Sequence, residues 1–347
     1  MRRFRDSSVI ASALLAVSLW LSLSAQNRIQ PSIEFTVVPP ASNGNPTRIE
    51  IIAGRVSGAL PGQRIVLFAQ SGEWWVQPHV GRPFTDIQPD SRWKGFTHPG
   101  TAYAALIVDS QYVPPPKMNE LPEKGGSILA VATIKGTPVL PSPPSKVIQF
   151  SGYPWRVREA GRDNGYEINF YDPANAWTDQ SGFLHLRISG RPGEWQCAEV
   201  SLTRSLGYGS YRFVVRDVSH LEPATVLIVG PSSKMAIELS RWDRPEDKNT
   251  QYVITPFDVP ANVVRFIAPG GTLTHWMDWQ PGRVTFQTVR GKPSKAGPGN
   301  IAEHAFTSGV QSPGSERISF NLYFLDSQRN PLQRPVEVII EKFQFLP

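Results

Sequence analysis

Proline sets the limits on this chain. It carries 33 prolines and 28 glycines in 347 residues. Proline removes a backbone donor and breaks a helix interior, and at close to twice its usual share of ~5% it leaves little room for long helices. Yet 40% of the residues are hydrophobic, enough to fill a core. The combination predicts a turn-rich all-β protein, and the length predicts two domains, at roughly 100–200 residues each.

Short alternating runs between Gly, Pro and Asp turns carry the first half: Arg48–Ile52, Gln63–Phe68, Ala102–Val108 and Ile128–Ala132. That spacing predicts an accessory β-sandwich over 31–136, similar at low specificity to immunoglobulin-like or transthyretin-like domains. The Pro114–Pro116 run reads as a loop within it. Four prolines in the ten residues from Thr137 to Lys146 predict an extended linker. Beyond it, strand patterns at 182–188, 210–215, 283–288, 317–322 and 336–340 predict one large two-sheet sandwich over 147–347. In the first domain the pair Trp74-Trp75 sends one ring inward and one outward.

At the amino terminus Arg2, Arg3 and Arg5 precede an apolar run from Val9 to Leu23, followed by Ser24 and Ala25. This is the layout of a secretory signal over residues 1–25, cut near Ala25, and the run is shorter than the ~20 residues a spanning helix needs. The expected location is secreted or periplasmic, as in an exported bacterial protein, with an uncleaved N-terminal anchor as the alternative and no stable membrane insertion after cleavage. Cys197 is the only cysteine, which excludes an intrachain disulfide and a four-thiolate zinc site. Six scattered histidines form no zinc-binding spacing, there is no G-x-S-x-G elbow and no phosphate loop, and no cofactor or metal is predicted. Calcium is not decided, because backbone carbonyls supply many of its ligands. A formal charge of +6 with only 18% charged residues lacks the basic stripe that nucleic-acid binding requires.

Four segments of the second domain carry a resemblance: Asn175–Ile188, Trp195–Arg216, His275–Thr288 and Val336–Phe345. In order and spacing they resemble the glycoside hydrolase family 16 (laminarinase and lichenase type), whose fold is a concanavalin A-like jelly roll. The family's catalytic strand reads Glu-x-Asp-x-Glu. A strand has period two, so its three acids share one face. The resemblance implies that the first attacks the anomeric carbon, the last protonates the leaving oxygen and the central Asp tunes both; a retaining pair stands about 5–5.5 Å apart.

The matching strand here is Lys234-Met235-Ala236-Ile237-Glu238. Glu238 takes the acid/base position, Lys234 replaces the nucleophile and Ala236 the central Asp. An ammonium cannot form the glycosyl-enzyme intermediate, and a lysine beside Glu238 favours its ionised form, the wrong state for a general acid. The acidic stretch Trp242–Asp247 reads as a loop because of Pro245. Glu199 reads as a sheet-face contact more readily than as a cleft residue. Tyr208, Trp242, Asn249, Gln251 and Trp276 are the candidate sugar contacts, since aromatic faces stack on pyranose rings and amides both donate to and accept from hydroxyls. Trp279 and Phe286 are expected in the core, while Trp242 and Trp276 divide evenly between groove and core.

The function expected from these readings is recognition of a polysaccharide, a β-glucan or similar, by a catalytically impaired relative of such a hydrolase. Two alternatives stand beside it. One is an active β-glucan or galactan glycosidase or transglycosylase using Glu238, with Glu199 or Asp243 as second carboxylate in an inverting arrangement, which requires about 6.5–9.5 Å between them. The other is a structural envelope protein whose groove is filled by side chains.

Overall fold

The computed structural model describes residues 30–138, 145–163, 168–232, 234–294, 299–325 and 331–347. The predicted leader and residues 139–144 of the predicted linker lie outside them. Strands dominate throughout, and two three-residue 3-10 turns at Pro173–Asn175 and Pro260–Asn262 are the only helical elements among the described residues. No helix among the described residues is long and apolar enough to cross a membrane.

The chain divides into two compact units, one built from 30–46 and 50–138, the other from 47–49 and 145–347. Thr47–Ile49 thus group with the second unit although they fall inside the span expected for the first.

In the first unit, Ser32–Val37 and Arg92–Thr97 flank the Arg48–Ser57 strand in one sheet. A second sheet runs in the order Lys117–Met118, Glu73–Gln77, Arg64–Ser71, Ala102–Val108, Ile128–Lys135. Between the sheets pack Ile52, Ile65, Leu67, Trp93, Tyr103 and Ile107. The central strands differ from the alternation expected: Ile65–Ala69 and Tyr103–Val108 are buried without interruption. The reason is a second apolar cluster on the far face, where Val66, Phe68, Trp74, Leu106 and Val108 are packed by Tyr112, Met118 and Leu121 from the segment that contains Pro114–Pro116. A strand buried on both faces reads as a continuous apolar run. Trp74 is buried and Trp75 exposed, with the Lys117 ammonium 5.2 Å from its ring centre.

The second unit is a sandwich of two antiparallel sheets. The eight-stranded sheet has the order Val147–Phe150, Tyr153–Val157, Ala198–Leu202, Ser319–Phe324, Thr225–Ser232, Met235–Leu239, Thr250–Ile254, Val263–Phe266. The seven-stranded sheet has the order Ala176–Thr178, Leu184–Ile188, Val336–Leu346, Gly209–Val215, Leu273–Gln280, Arg283–Arg290, Asn300–Phe306. In both orders hairpin neighbours lie toward the edges and strands from distant segments pair in the middle, as in a jelly roll. The core between them is aromatic. Trp155 packs edge-to-face on Phe343 at 5.1 Å and tilted on Phe320 at 5.1 Å, and Phe213 joins both. Trp279 and Phe286 lie in this core.

One polar cluster is buried in the same core. The Thr288 hydroxyl is shared by the Tyr252 hydroxyl at 2.6 Å and His275 Nδ1 at 2.9 Å. His275 is fully buried and its Nε2 has no hydrogen-bond partner.

Candidate functional site

Parity along the Met235–Leu239 strand decides which side chains share a face. Ile237 and Leu239 point into the aromatic core, while Ala236 joins Val226, Ile228 and Val253 in a small cluster on the outer face of the eight-stranded sheet. Glu238, two residues from Ala236, stands on that outer face. Gly230 makes the neighbouring turn possible: a Cβ there would lie 2.7 Å from the Met235 carbonyl oxygen.

The register places Glu238 in a row of seven residues that crosses the sheet. Arg158 bonds through its backbone to Glu199, Glu199 pairs with Asn321, Asn321 with Ile228, Ile228 with Glu238, Glu238 with Gln251 and Gln251 with Arg265. Six of them stand between inward-facing neighbours in their strands and Arg158 directly follows the core residue Val157, so all occupy one face. The side chains are joined in two halves. At one end the Arg158 guanidinium donates to both Glu199 oxygens at 2.7 and 3.2 Å, and the Tyr171 hydroxyl donates to Asn321 at 3.2 Å. At the other, Gln251 Nε2 donates to Glu238 Oε2 at 2.6 Å, and Arg265 donates to Gln251 Oε1 at 2.9 Å and to Asp247 at 2.7 Å. Each arginine also lies over an aromatic ring, Arg158 over Tyr171 at 5.4 Å and Arg265 over Trp242 at 4.7 Å.

Two sequence candidates therefore stand with Glu238: Gln251 binds it directly, and Trp242 reaches it through Arg265. Asn249 is on the same face, but its side-chain amide is closed on the backbone of Ala268, donating to the carbonyl at 2.8 Å and accepting from the N–H at 2.7 Å. Trp276 does not join them. It lies on the seven-stranded sheet, paired in register with Arg212 and Gln287, and is buried there with the Arg212 guanidinium 5.6 Å from its ring centre. Tyr208 packs against the sandwich core, edge-on to Trp279 at 5.5 Å. Trp242 and Asp243 form a turn with positive φ, and the Asp243 N–H is spent on the Pro223 carbonyl. Arg158, Asn321 and Arg265 were missed by sequence reasoning; Asn321 and Arg265 are polar residues between apolar ones inside a strand, and Arg158 directly follows one.

The electrostatics correct one expectation. Glu238 is not held ionised by Lys234: burial raises its pKa, and the opposing pulls come from the Gln251 hydrogen bond and the Arg265 charge. A raised carboxyl suits an acid. The positions that the resemblance implies for its partners hold a lysine and an alanine. Lys234 is exposed at the head of the strand and Ala236 is buried. Glu199 is three strand spacings from Glu238, about 14 Å along the row. The two carboxyls are drawn further apart by their partners, Glu199 toward Arg158 and Glu238 toward Gln251. That separation fits neither the retaining nor the inverting geometry. No group of three or more His, Cys, Asp or Glu side chains among the described residues is placed to hold a metal ion.

No family model matches the chain, and no curated protein matches it. Among solved structures the chain is similar to a Bacillus licheniformis β-glucanase, with 16% identity over 58% of this chain and 98% of that one and a TM-score of 0.43. It is also similar to a β-1,3-glucanase from Mycobacterium marinum, with 13% identity, 59% and 95% coverage and a TM-score of 0.42. A β-1,3-1,4-glucanase (lichenase) from a mouse hindgut metagenome gives 14% identity, 55% and 92% coverage and a TM-score of 0.41.

Proposed function

We propose that the second unit binds a polysaccharide on the outer face of its eight-stranded sheet and does not hydrolyse it. One observation carries the non-catalytic part: Glu238 is bound to Gln251, and the next acid of its row is three strands away and paired to an arginine. Binding is supported by what the face offers, namely guanidinium groups backed by aromatic rings at both ends of a row and amides between them, the groups that meet sugar hydroxyls and ring faces. The leader expected at residues 1–25 supports an activity outside the cytoplasm in our reading.

A second reading draws on the floor of the same face. Ala236, Val226, Ile228 and Val253 are buried there as an apolar cluster, which favours a structural envelope protein with no ligand. One experiment separates the readings. The purified protein is assayed for reducing-end release from β-1,3-glucan, mixed-linkage glucan and galactan, and for retardation in gels containing each polymer. Retardation without release supports the binding reading; release that disappears in Glu238→Gln overturns it; neither retardation nor release selects the structural one.

A further inference from the structure

The outer face of the eight-stranded sheet hides its acids and shows its bases. Glu199 and Glu238 are the carboxyls of the central row. The Glu199 side chain is 9% exposed and Glu238 8%. The arginines that end the row are much more open, 33% for Arg158 and 36% for Arg265, against 22% for Asp247, the acid that pairs with Arg265. Two further cations lie exposed around the row. Arg156 is two residues from Arg158 along the same strand direction, so both share the outer face, and it pairs in register with Ser201. Lys234 precedes the Glu238 strand, and its backbone carbonyl accepts from Thr255.

From this pattern we infer that the ligand is an anionic polysaccharide, one bearing carboxylate or sulfate groups, and not a neutral glucan. The inference rests on the binding reading above and names the substrate class of that same face. A polymer lying across the sheet meets Arg156 and Arg158 on one rim, Arg265 on the other and Lys234 at the end, while the buried acids contribute little field at the surface. The exposed guanidinium of Arg156 offers carboxylate and sulfate oxygens a bidentate fork, whereas Arg158 and Arg265 already hold Glu199 and Asp247. Lys234 places a cation where the resemblance implies an anion, which favours a negative group on the part of the ligand beside it.

The test is affinity electrophoresis of the purified full-length protein in gels containing polygalacturonate, alginate, a sulfated galactan, a neutral β-1,3-glucan or, as a non-sugar polyanion, polyglutamate. The variants Lys234→Glu and Arg156→Glu, both at exposed positions outside the core, are run beside it with circular dichroism as the check on folding. The expected result is preferential retardation by the anionic glycans, reduced about tenfold in apparent affinity by either reversal, and the arms show whether carboxylate or sulfate is recognised. Retardation by the neutral glucan that neither reversal alters overturns the anionic inference and leaves the binding reading intact. Equal retardation by polyglutamate also overturns it, as simple polyelectrolyte attraction. Failure with every polysaccharide overturns the binding reading itself.

Discussion

Gln251 holds Glu238 from the adjacent strand, its side-chain amide donating at 2.6 Å while its carbonyl accepts from Arg265 at 2.9 Å. The carboxyl is thereby bound by a neutral donor inside a buried row, which is the physical reason its titration can move stability in an unusual direction.

Burial raises the Glu238 pKa above its ordinary value. A carboxyl raised in the folded state stabilises the fold below the ordinary carboxylate range and loses that contribution as pH rises through the folded pKa. Glu238→Gln keeps an acceptor for Gln251 and is expected within about 1 kcal/mol of wild type at pH 7. Urea denaturation from pH 7 to pH 4 should show the wild type gaining on the variant as pH falls. A gap that is constant with pH would contradict the assigned environment.

His275 works in the opposite sense. Full burial lowers its pKa from the ordinary 6.5 to about 4, so the folded state resists the proton that the unfolded chain accepts. Stability is lost as pH falls through that window, by about 3 kcal/mol in order of magnitude. His275→Gln should flatten the acid limb of the stability curve, a difference readable by chemical denaturation at pH 7, 5.5 and 4.

At the far end of the row, Arg158→Ala leaves the nearly buried Glu199 carboxyl without its guanidinium. The expected cost is about 2–3 kcal/mol. Adding Glu199→Gln should recover part of it, and a double-mutant cycle measures the coupling directly. Strict additivity would mean that the pair contributes nothing to the fold.

Ala236 stands where the sequence resemblance implies a central acid, yet it is buried against Val226, Ile228 and Val253. Ala236→Asp therefore destabilises by at least about 2 kcal/mol at pH 7. The penalty shrinks on acidification because the protonated acid costs less to bury. A neutral effect at pH 7 would show that the position still has room for a carboxylate.

The core prediction is simpler. Phe320 touches Phe150, Trp155 and Phe213, and Phe320→Ala should cost about 3–5 kcal/mol in thermal or urea unfolding.

Much of the fold was legible in the sequence because strand parity and turn residues are local. Ala102–Val108 has the expected bounds, and the strands expected at 210–215 and 283–288 form as Gly209–Val215 and Arg283–Arg290. Parity also put Ala236 and Glu238 on one face. It could not say which of two sheets a strand joins, and for that reason Trp276 was grouped with Glu238 although the sandwich core separates their sheets. Nor could it find Arg158 for Glu199, 41 residues away, since pairing across a jelly roll follows topology and not sequence distance. The sign of the Glu238 shift was missed for a related reason. Lys234 is visible in sequence, whereas burial is a property of the assembled face.

The seven-residue row also acts as a register mark for the whole sheet. Its members come from separate stretches of chain around positions 158, 199, 228–265 and 321, and each is next to at least one residue that belongs to the core or packs against it. A slip of one residue in the strands that carry Glu199, Asn321, Glu238, Gln251 or Arg265 would turn that polar side chain toward the core and expose an inward-facing neighbour in its place. Mispairing is thus penalised at five strands of the sheet. On this view the row guards the accuracy of assembly, a task that would keep its polar residues in place even in a chain with no reaction to catalyse.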